Sequence, residues 1–120
     1  MDISVIQPYF YALSGLSSSQ AQAYEPLLRA AAVAIDARCV STELTDQKDL
    51  DAAASAAAAL AFRDYTALCV ASEPSFAAGD IKVTQYDGRV QAAECILRDA
   101  LHNAAYLFAD QELCFERVVS

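Results

Sequence analysis

The sequence is poor in residues that interrupt helices and in residues that carry catalytic chemistry. It has 3 glycines, 3 prolines, no tryptophan and one histidine among 120 residues. So few helix breakers argue against a fold of many short strands and favour a few long helices. A single histidine, His102, supplies neither a Ser-His-Asp nor a Cys-His arrangement. We expect His102, three residues after Asp99, to be a helix surface residue rather than a general base.

Recognisable phosphate and metal motifs are missing too. The three glycines lie too far apart to form a phosphate-binding loop. Metal and glycosidase sites need carboxylates that converge in a cleft. We interpret the pairs Asp46/Asp49 and Asp49/Asp51 as helix-capping groups, and Asp110/Glu112 as part of a solvated loop. The sequence therefore predicts no catalytic residue, no cofactor and no metal.

The four cysteines show no metal-binding spacing. Cys39, Cys69, Cys95 and Cys114 form no C-x-x-C motif and no close pair with the histidine. Each stands among apolar residues, which favours reduced, buried thiols in a cytosolic protein over paired disulfides.

Basic runs are also missing, and the formal net charge is -8. Nucleic-acid binders usually carry a basic stripe because neutralising phosphate dominates their affinity. A regulatory DNA-binding module would need a clustered face of arginines, namely Arg29, Arg38, Arg63, Arg89 and Arg98. An acidic surface instead suits a basic partner protein, or DNA that the protein faces without gripping.

What the chain has in abundance is alanine, the strongest helix former. The hydrophobic share is 56%, and residues 52–61 are apolar apart from Ser55. This run is too short to cross a membrane, which needs about 20 apolar residues. The length of 120 residues fits one domain, residues 1–120, with a core that needs neither metal nor disulfide.

Two helices are predicted in the first third of the chain. Asp2 caps a helix from Ile3 to about Leu13, which Pro8 either kinks or delays, and Gly15 ends it. The second helix covers about 18–39, where Ser17 and Gln20 have the form of a capping box. Helical spacing predicts one core face on it, made of Tyr24, Leu27, Leu28, Ala31, Ile35 and Cys39. Pro26 either divides this second segment or sits in its first turns.

Two longer helices follow. Thr45 or Asp46 caps the third, which runs to about Ala71. Its faces from 52 to 61 are almost all alanine, so we expect it to be central. The inward stripe is expected to be Leu50, Ala54, Ala57, Leu60/Ala61, Asp64/Tyr65 and Leu68. The fourth runs from about Gly88 to Phe108, and its inward positions are expected to be Val90, Ala93, Glu94/Leu97, Leu101, Ala104/Ala105 and Phe108. Two short strands, 81–86 and 113–119, are expected to pair. The predicted fold class is mainly α, a four-helix bundle-like domain with a long central alanine-rich helix and a small two-stranded β element.

The segment between the third and fourth helices carries a resemblance to a known family. It reads Phe76-Ala77-Ala78-Gly79-Asp80-Ile81-Lys82-Val83-Thr84. This pattern, with the Leu13-Ser14-Gly15-Leu16-Ser17 start and the Ala58–Tyr65 part of the third helix, is similar to small phage and prophage proteins. The chain resembles the head-tail connector (head completion or adaptor) proteins of tailed bacteriophages.

The resemblance implies a structural role in virion assembly and no enzyme activity. Connectors are helical subunits that form rings beneath the portal, so the expected partners are copies of the chain itself, the portal and tail proteins. DNA passes through such a ring without specific binding. The expected location is the cytoplasm of a bacterial host and the virion. The implied assembly interface is Gly79, Asp80, Ile81, Val83 and Thr84, unless this ribbon is internal.

Other functions remain open at this point. A different non-enzymatic helical interaction domain of phage or bacterial origin would lack ring assembly. An enzyme or small-ligand binder would show a deep pocket that contains His102 or converging carboxylates.

Overall fold

A computed structural model of the chain describes residues 1–39, 46–72 and 88–108, and these ranges are mainly helical, as predicted. The elements are α1 (Ile3–Ser14), α2 (Ser18–Ala21), a 3-10 turn (Gln22–Tyr24), α3 (Glu25–Arg38), α4 (Gln47–Ala71), α5 (Gly88–Asn103) and a second 3-10 turn (Ala105–Leu107).

Helix α1 begins and ends at the residues that the sequence predicts. The Asp2 side chain accepts a hydrogen bond from the Ser4 backbone N–H at 3.1 Å. Gly15 has a φ of 73°, in the left-handed region where a side chain would be strained, and its N–H donates to the Tyr11 carbonyl. The helix runs through the exposed Pro8, so it does not begin late.

The predicted helix over 18–39 is divided. The Ser17–Gln20 capping box is present and starts α2, but α2 ends at Ala21. A 3-10 turn follows, and α3 begins at Glu25 with Pro26 in its first turn. Proline lacks an N–H and clashes with the carbonyl four residues earlier, so it interrupts a continuing helix and suits the start of a new one.

Helix α4 is the central element, as its alanine content predicts. The Asp46 side chain caps it by accepting from the Lys48 N–H at 3.0 Å. It packs against α1, α3 and α5. Small side chains on every face allow this close approach from several sides. The fully buried alanines are Ala53, Ala54, Ala56, Ala57, Ala58, Ala59 and Ala61.

The other helices supply the large core side chains. Ile6 and Phe10 of α1 and Leu28 and Ile35 of α3 are almost completely buried. Helix α5 contributes buried positions at the predicted spacing, and these are Ala93, Leu97 and, beyond the helix, Ala104 and Phe108.

The covering of α4 weakens toward its C-terminal end. Leu68, predicted on the inward stripe, is 53% exposed, and its neighbours Ala67 and Ala71 are exposed too. The buried side chains of these last turns are Thr66 and Val70 instead.

Among the described residues, strand-like backbone pairing occurs at one place. An isolated antiparallel bridge joins Cys39 to Phe108, and the Arg38 guanidinium lies 4.5 Å from the centre of the Phe108 ring. The predicted strands 81–86 and 113–119 lie outside the described residues. No helix within the described ranges is long and apolar enough to cross a membrane.

Candidate functional site

The residues predicted to form an assembly interface lie between α4 and α5 in the sequence. Gly79, Asp80, Ile81, Val83 and Thr84 all lie outside the described residues. The described surfaces that bear on function are therefore on the helices themselves.

The titratable groups singled out in the sequence occupy helix ends rather than a cleft. His102 is exposed in the last turn of α5. Asp49 accepts a hydrogen bond from the Tyr106 hydroxyl at 2.9 Å, and Asp51 accepts one from the Gln47 amide at 2.8 Å. Across the described ranges, no three His, Cys, Asp or Glu side chains come together as a metal site would require. The pair Asp110/Glu112 lies outside those ranges.

Four aromatic residues of the described chain form a packed cluster around Tyr65. The Tyr65 ring meets the Phe10 ring edge to face at 5.9 Å between centroids, and the Tyr24 ring at 4.7 Å. It also stacks on Phe62 at 6.3 Å. Such pairs add to core packing. Tyr106, by contrast, is 47% exposed and sits at the N-terminal end of α4, beside Asp49.

One side of this cluster opens into an apolar groove of about 450 Å³. Three helices build it, which is why no local sequence pattern predicts it. Its lining residues are Leu13 and Ser14 of α1, Phe62, Tyr65, Thr66 and Cys69 of α4, and Arg89, Ala92 and Ile96 of α5. We call the groove lined by these residues the apolar groove.

A buried hydroxyl lines the apolar groove. Thr66 is only 7% exposed, and none of the described residues provides a hydrogen-bond partner for its side chain. Nearby, a hydrogen bond with Cys69 and burial raise the pKa of Tyr65.

Helix α3 carries the most unusual surface of the described chain. Its inner face is buried, as expected, but its outer face is apolar as well. Val33 is 69% exposed, the highest value among the large apolar side chains of the described residues. The residues that we call the outer face of α3 are all exposed, and they are Pro26, Ala30, Val33, Ala34 and Ala37.

The arginines are spread over three helices, and two of them are held by neighbouring carboxylates. Arg29 of α3 pairs with Glu25 at 3.2 Å, and Arg63 of α4 pairs with Asp64 at 3.0 Å. Ion pairs of this kind leave less positive charge to meet a nucleic-acid backbone.

The cysteines depart from the prediction in one respect. Cys39, Cys69 and Cys95 are free thiols, but none of the three is fully buried as predicted, since Cys39 and Cys69 are half-buried and Cys95 is exposed. Residues two positions apart point to nearly opposite sides of an α-helix, and the buried positions of α5, Ala93 and Leu97, each lie two residues from Cys95. Burial raises the pKa of the half-buried Cys39 thiol. Cys114 lies outside the described residues.

No protein-family model, curated protein or solved structure matches this chain.

Proposed function

We propose that this protein is a structural assembly subunit, a head-tail connector of a phage or prophage that forms a ring under the portal. The outer face of α3 carries the proposal. A surface helix of a globular protein normally presents polar residues to water. An apolar outer face, with Val33 at 69% exposure, is a surface suited to burial against another protein. The likeness of residues 76–84 to connector proteins supplies the identity of the assembly.

The charge of the chain supports a passive relation to DNA. The formal net charge is -8. Carboxylates around a ring lumen repel phosphate at short range, so that DNA slides through instead of adhering. Arg29 and Arg63 lie in ion pairs within the subunit, which further weakens any grip on phosphate.

We propose no catalytic role and no cofactor for this subunit. The exposed His102 and the helix-end positions of Asp46, Asp49 and Asp51 support an assembly role over an enzyme. A connector would act in the cytoplasm of a bacterial host and in the virion, with copies of itself, the portal and tail proteins as partners.

The test is capture of this protein by the portal protein encoded near it, followed by electron microscopy of the complex. The expected result is a ring stacked on the portal. If neither the portal nor the neighbouring tail proteins bind, the connector function is wrong.

The segment 76–84 gives a sharper test of the same proposal. Replacing Ile81→Glu together with Val83→Glu is expected to block assembly on the portal while the far-UV circular dichroism stays helical. The matched control is Lys82→Glu, which changes charge at the residue between them and should leave assembly intact. If the double variant still assembles on the portal, the contact between subunits does not depend on Ile81 and Val83.

A second candidate is another non-enzymatic helical interaction domain. The outer face of α3 favours it equally, because that face indicates a protein partner without naming one. Binding to a host or phage protein, with no ring on the portal, would select this alternative.

A further inference from the structure

We propose that the segment 109–120 packs against the outer face of α3 in the free subunit and that an assembly partner displaces it. The segment lies outside the described residues. The inference rests on the proposed function only for the identity of the partner that displaces the segment. The contact itself rests on where the segment begins, how far it reaches and which residues it carries.

The segment begins at the C-terminal end of α3. Phe108, the residue before it, is 4% exposed and pairs with Cys39 in the antiparallel bridge. The Arg38 guanidinium lies 4.5 Å from the centre of the Phe108 ring. In an antiparallel pairing, the chain that leaves one partner runs toward the residues that precede the other. The chain is therefore directed from Phe108 toward Arg38, the last residue of α3.

The segment is long enough to follow α3 over most of its length. Helix α3 has 14 residues, which corresponds to about 21 Å. The 12 residues of the segment span about 18 Å as a helix and about 40 Å as an extended chain. Val33 lies six residues before Cys39, and Cys114 lies six residues after Phe108. The middle of the segment can therefore reach the most exposed large apolar side chain of α3.

The segment carries apolar residues that suit an apolar surface. Its larger ones are Leu113, Phe115, Val118 and Val119. The outer face of α3 offers exposed alanines around Val33, which is 69% exposed. Packing the two together removes apolar surface on both sides from water, which is the main favourable term in such contacts.

Tethering favours this segment over a separate chain as the occupant in the free subunit. The pairing of Phe108 with Cys39 holds the segment at one end of α3, so its effective concentration there is on the order of mM. The contact is weak, because releasing the segment leaves the helices folded. Substitutions on the outer face of α3 therefore change the free energy of unfolding little, and a partner that buries this face more completely displaces the segment.

Disulfide trapping tests the contact directly, because Cys114 is native to the segment. The variant Val33→Cys keeps Cys114, and the other cysteines are replaced by Cys39→Ala, Cys69→Ala and Cys95→Ser. Mild oxidation should link positions 33 and 114 within one chain, as seen by mass spectrometry of the non-reduced digest. The matched control is Ala67→Cys in the same background, an exposed position near the other end of α4 that should not be linked.

Thiol labelling measures the same contact without trapping it. Val33→Cys is combined with replacement of all four native cysteines. Deleting residues 109–120 should speed maleimide labelling of position 33 by at least about threefold, because labelling requires a released face. Unchanged far-UV circular dichroism shows that the helices remain intact.

A full-length variant replaces the deletion if the shortened chain does not fold. Leu113→Ser together with Phe115→Ser should speed the labelling in the same way. The matched control is Glu112→Ser together with Glu116→Ser, which changes polar residues of the segment and should leave the labelling slow.

Two outcomes would overturn the contact. Equal labelling rates with and without the segment mean that it does not cover position 33. A disulfide that joins two chains, with none inside one chain, means that a second copy covers this face.

Capture by the portal tests the displacement. Deleting residues 109–120 should lower the Kd for the portal by at least about threefold, because the partner no longer competes with the segment. An unchanged Kd rejects the displacement. Failure of the connector function gives a different result, in which the segment protects position 33 but neither chain binds the portal.

Discussion

Helices α3 and α4 are both rich in alanine, yet their alanines are buried to different extents. Helix α4 is packed by α1, α3 and α5, and seven alanines between 53 and 61 are buried. Within the described ranges helix α3 is packed on one side only, and Ala30, Val33, Ala34 and Ala37 remain exposed. An apolar helix requires cover on all sides. For α4 the chain provides that cover, whereas for α3 the described part of the chain covers only half.

The largest expected effect comes from removing part of the cover of α4. Phe10 is completely buried and meets the Tyr65 ring, so Phe10→Ala should lower the free energy of unfolding by about 3–5 kcal/mol. Val33→Ala, a truncation on the outer face of α3, should change it by less than about 0.5 kcal/mol. Urea unfolding followed by circular dichroism, at a concentration where the chain is monomeric, measures both. Similar losses would mean that α3 is covered within the subunit.

Enlarging an alanine sharpens the same contrast. Ala57 of α4 is 0% exposed, so Ala57→Leu should overpack the core and cost about 1–3 kcal/mol. Ala34→Leu makes the same change on the outer face of α3, where it should cost less than about 0.5 kcal/mol. Thermal unfolding of the two variants side by side gives the comparison. Equal destabilisation would remove the distinction between the helices.

The two helices also begin differently, which predicts a smaller effect. The Asp46 side chain caps α4, whereas the residue that precedes α3, Tyr24, makes no side-chain cap bond. Asp46→Ala should cost about 1 kcal/mol, while Asp46→Asn, which can still accept the hydrogen bond, should cost much less. The midpoints of urea unfolding measure both losses of stability. If the Asn variant is as unstable as the Ala variant, the loss comes from the removed charge and not from the lost capping hydrogen bond.

The smallest expected effect on stability comes from the hydrogen bond between Tyr106, in the 3-10 turn after α5, and Asp49, at the start of α4. The hydrogen bond to the Asp49 carboxylate, with smaller effects of burial and charge, raises the pKa of Tyr106 above its usual range. The unfolded tyrosine therefore ionises first. The stabilisation is complete below the usual tyrosine pKa of about 10 and is lost as the pH rises through the folded value.

Unfolding midpoints measured from neutral to alkaline pH test the predicted direction of this pH dependence. The parent chain should lose more stability than Tyr106→Phe, which lacks the ionisable hydroxyl. Burial also raises the pKa of Tyr9, so both proteins should still lose the part of their stability at alkaline pH that Tyr9 causes. Identical pH profiles for the two proteins would show that the Tyr106–Asp49 bond contributes nothing.

The sequence predicts local features of this fold well. The cap residues Asp2 and Asp46, the end of α1 at Gly15 and the central place of α4 follow from rules that act within a few residues. The division of the second segment at Pro26 was open in the sequence, because proline suits both a first turn and a break.

Features that depend on which helices meet could not be predicted. The exposure of Leu68 depends on where the cover of α4 ends, since its spacing alone places it inward. The apolar groove and the buried Thr66 hydroxyl need α1, α4 and α5 together. The spacing of the larger apolar residues of α3 indicates its inner face, but it does not show that the opposite face, also apolar, is left uncovered by the described part of the chain.

The alanine interior of α4 has a consequence for how this protein changes over evolutionary time. An alanine has no rotamer to rearrange, so a neighbouring substitution cannot be accommodated by side-chain repacking at Ala56, Ala57 or Ala58. A larger residue there must push whole helices apart. Sequence drift among relatives should therefore be slowest along 53–61, and the replacements accepted there should be restricted to glycine and serine.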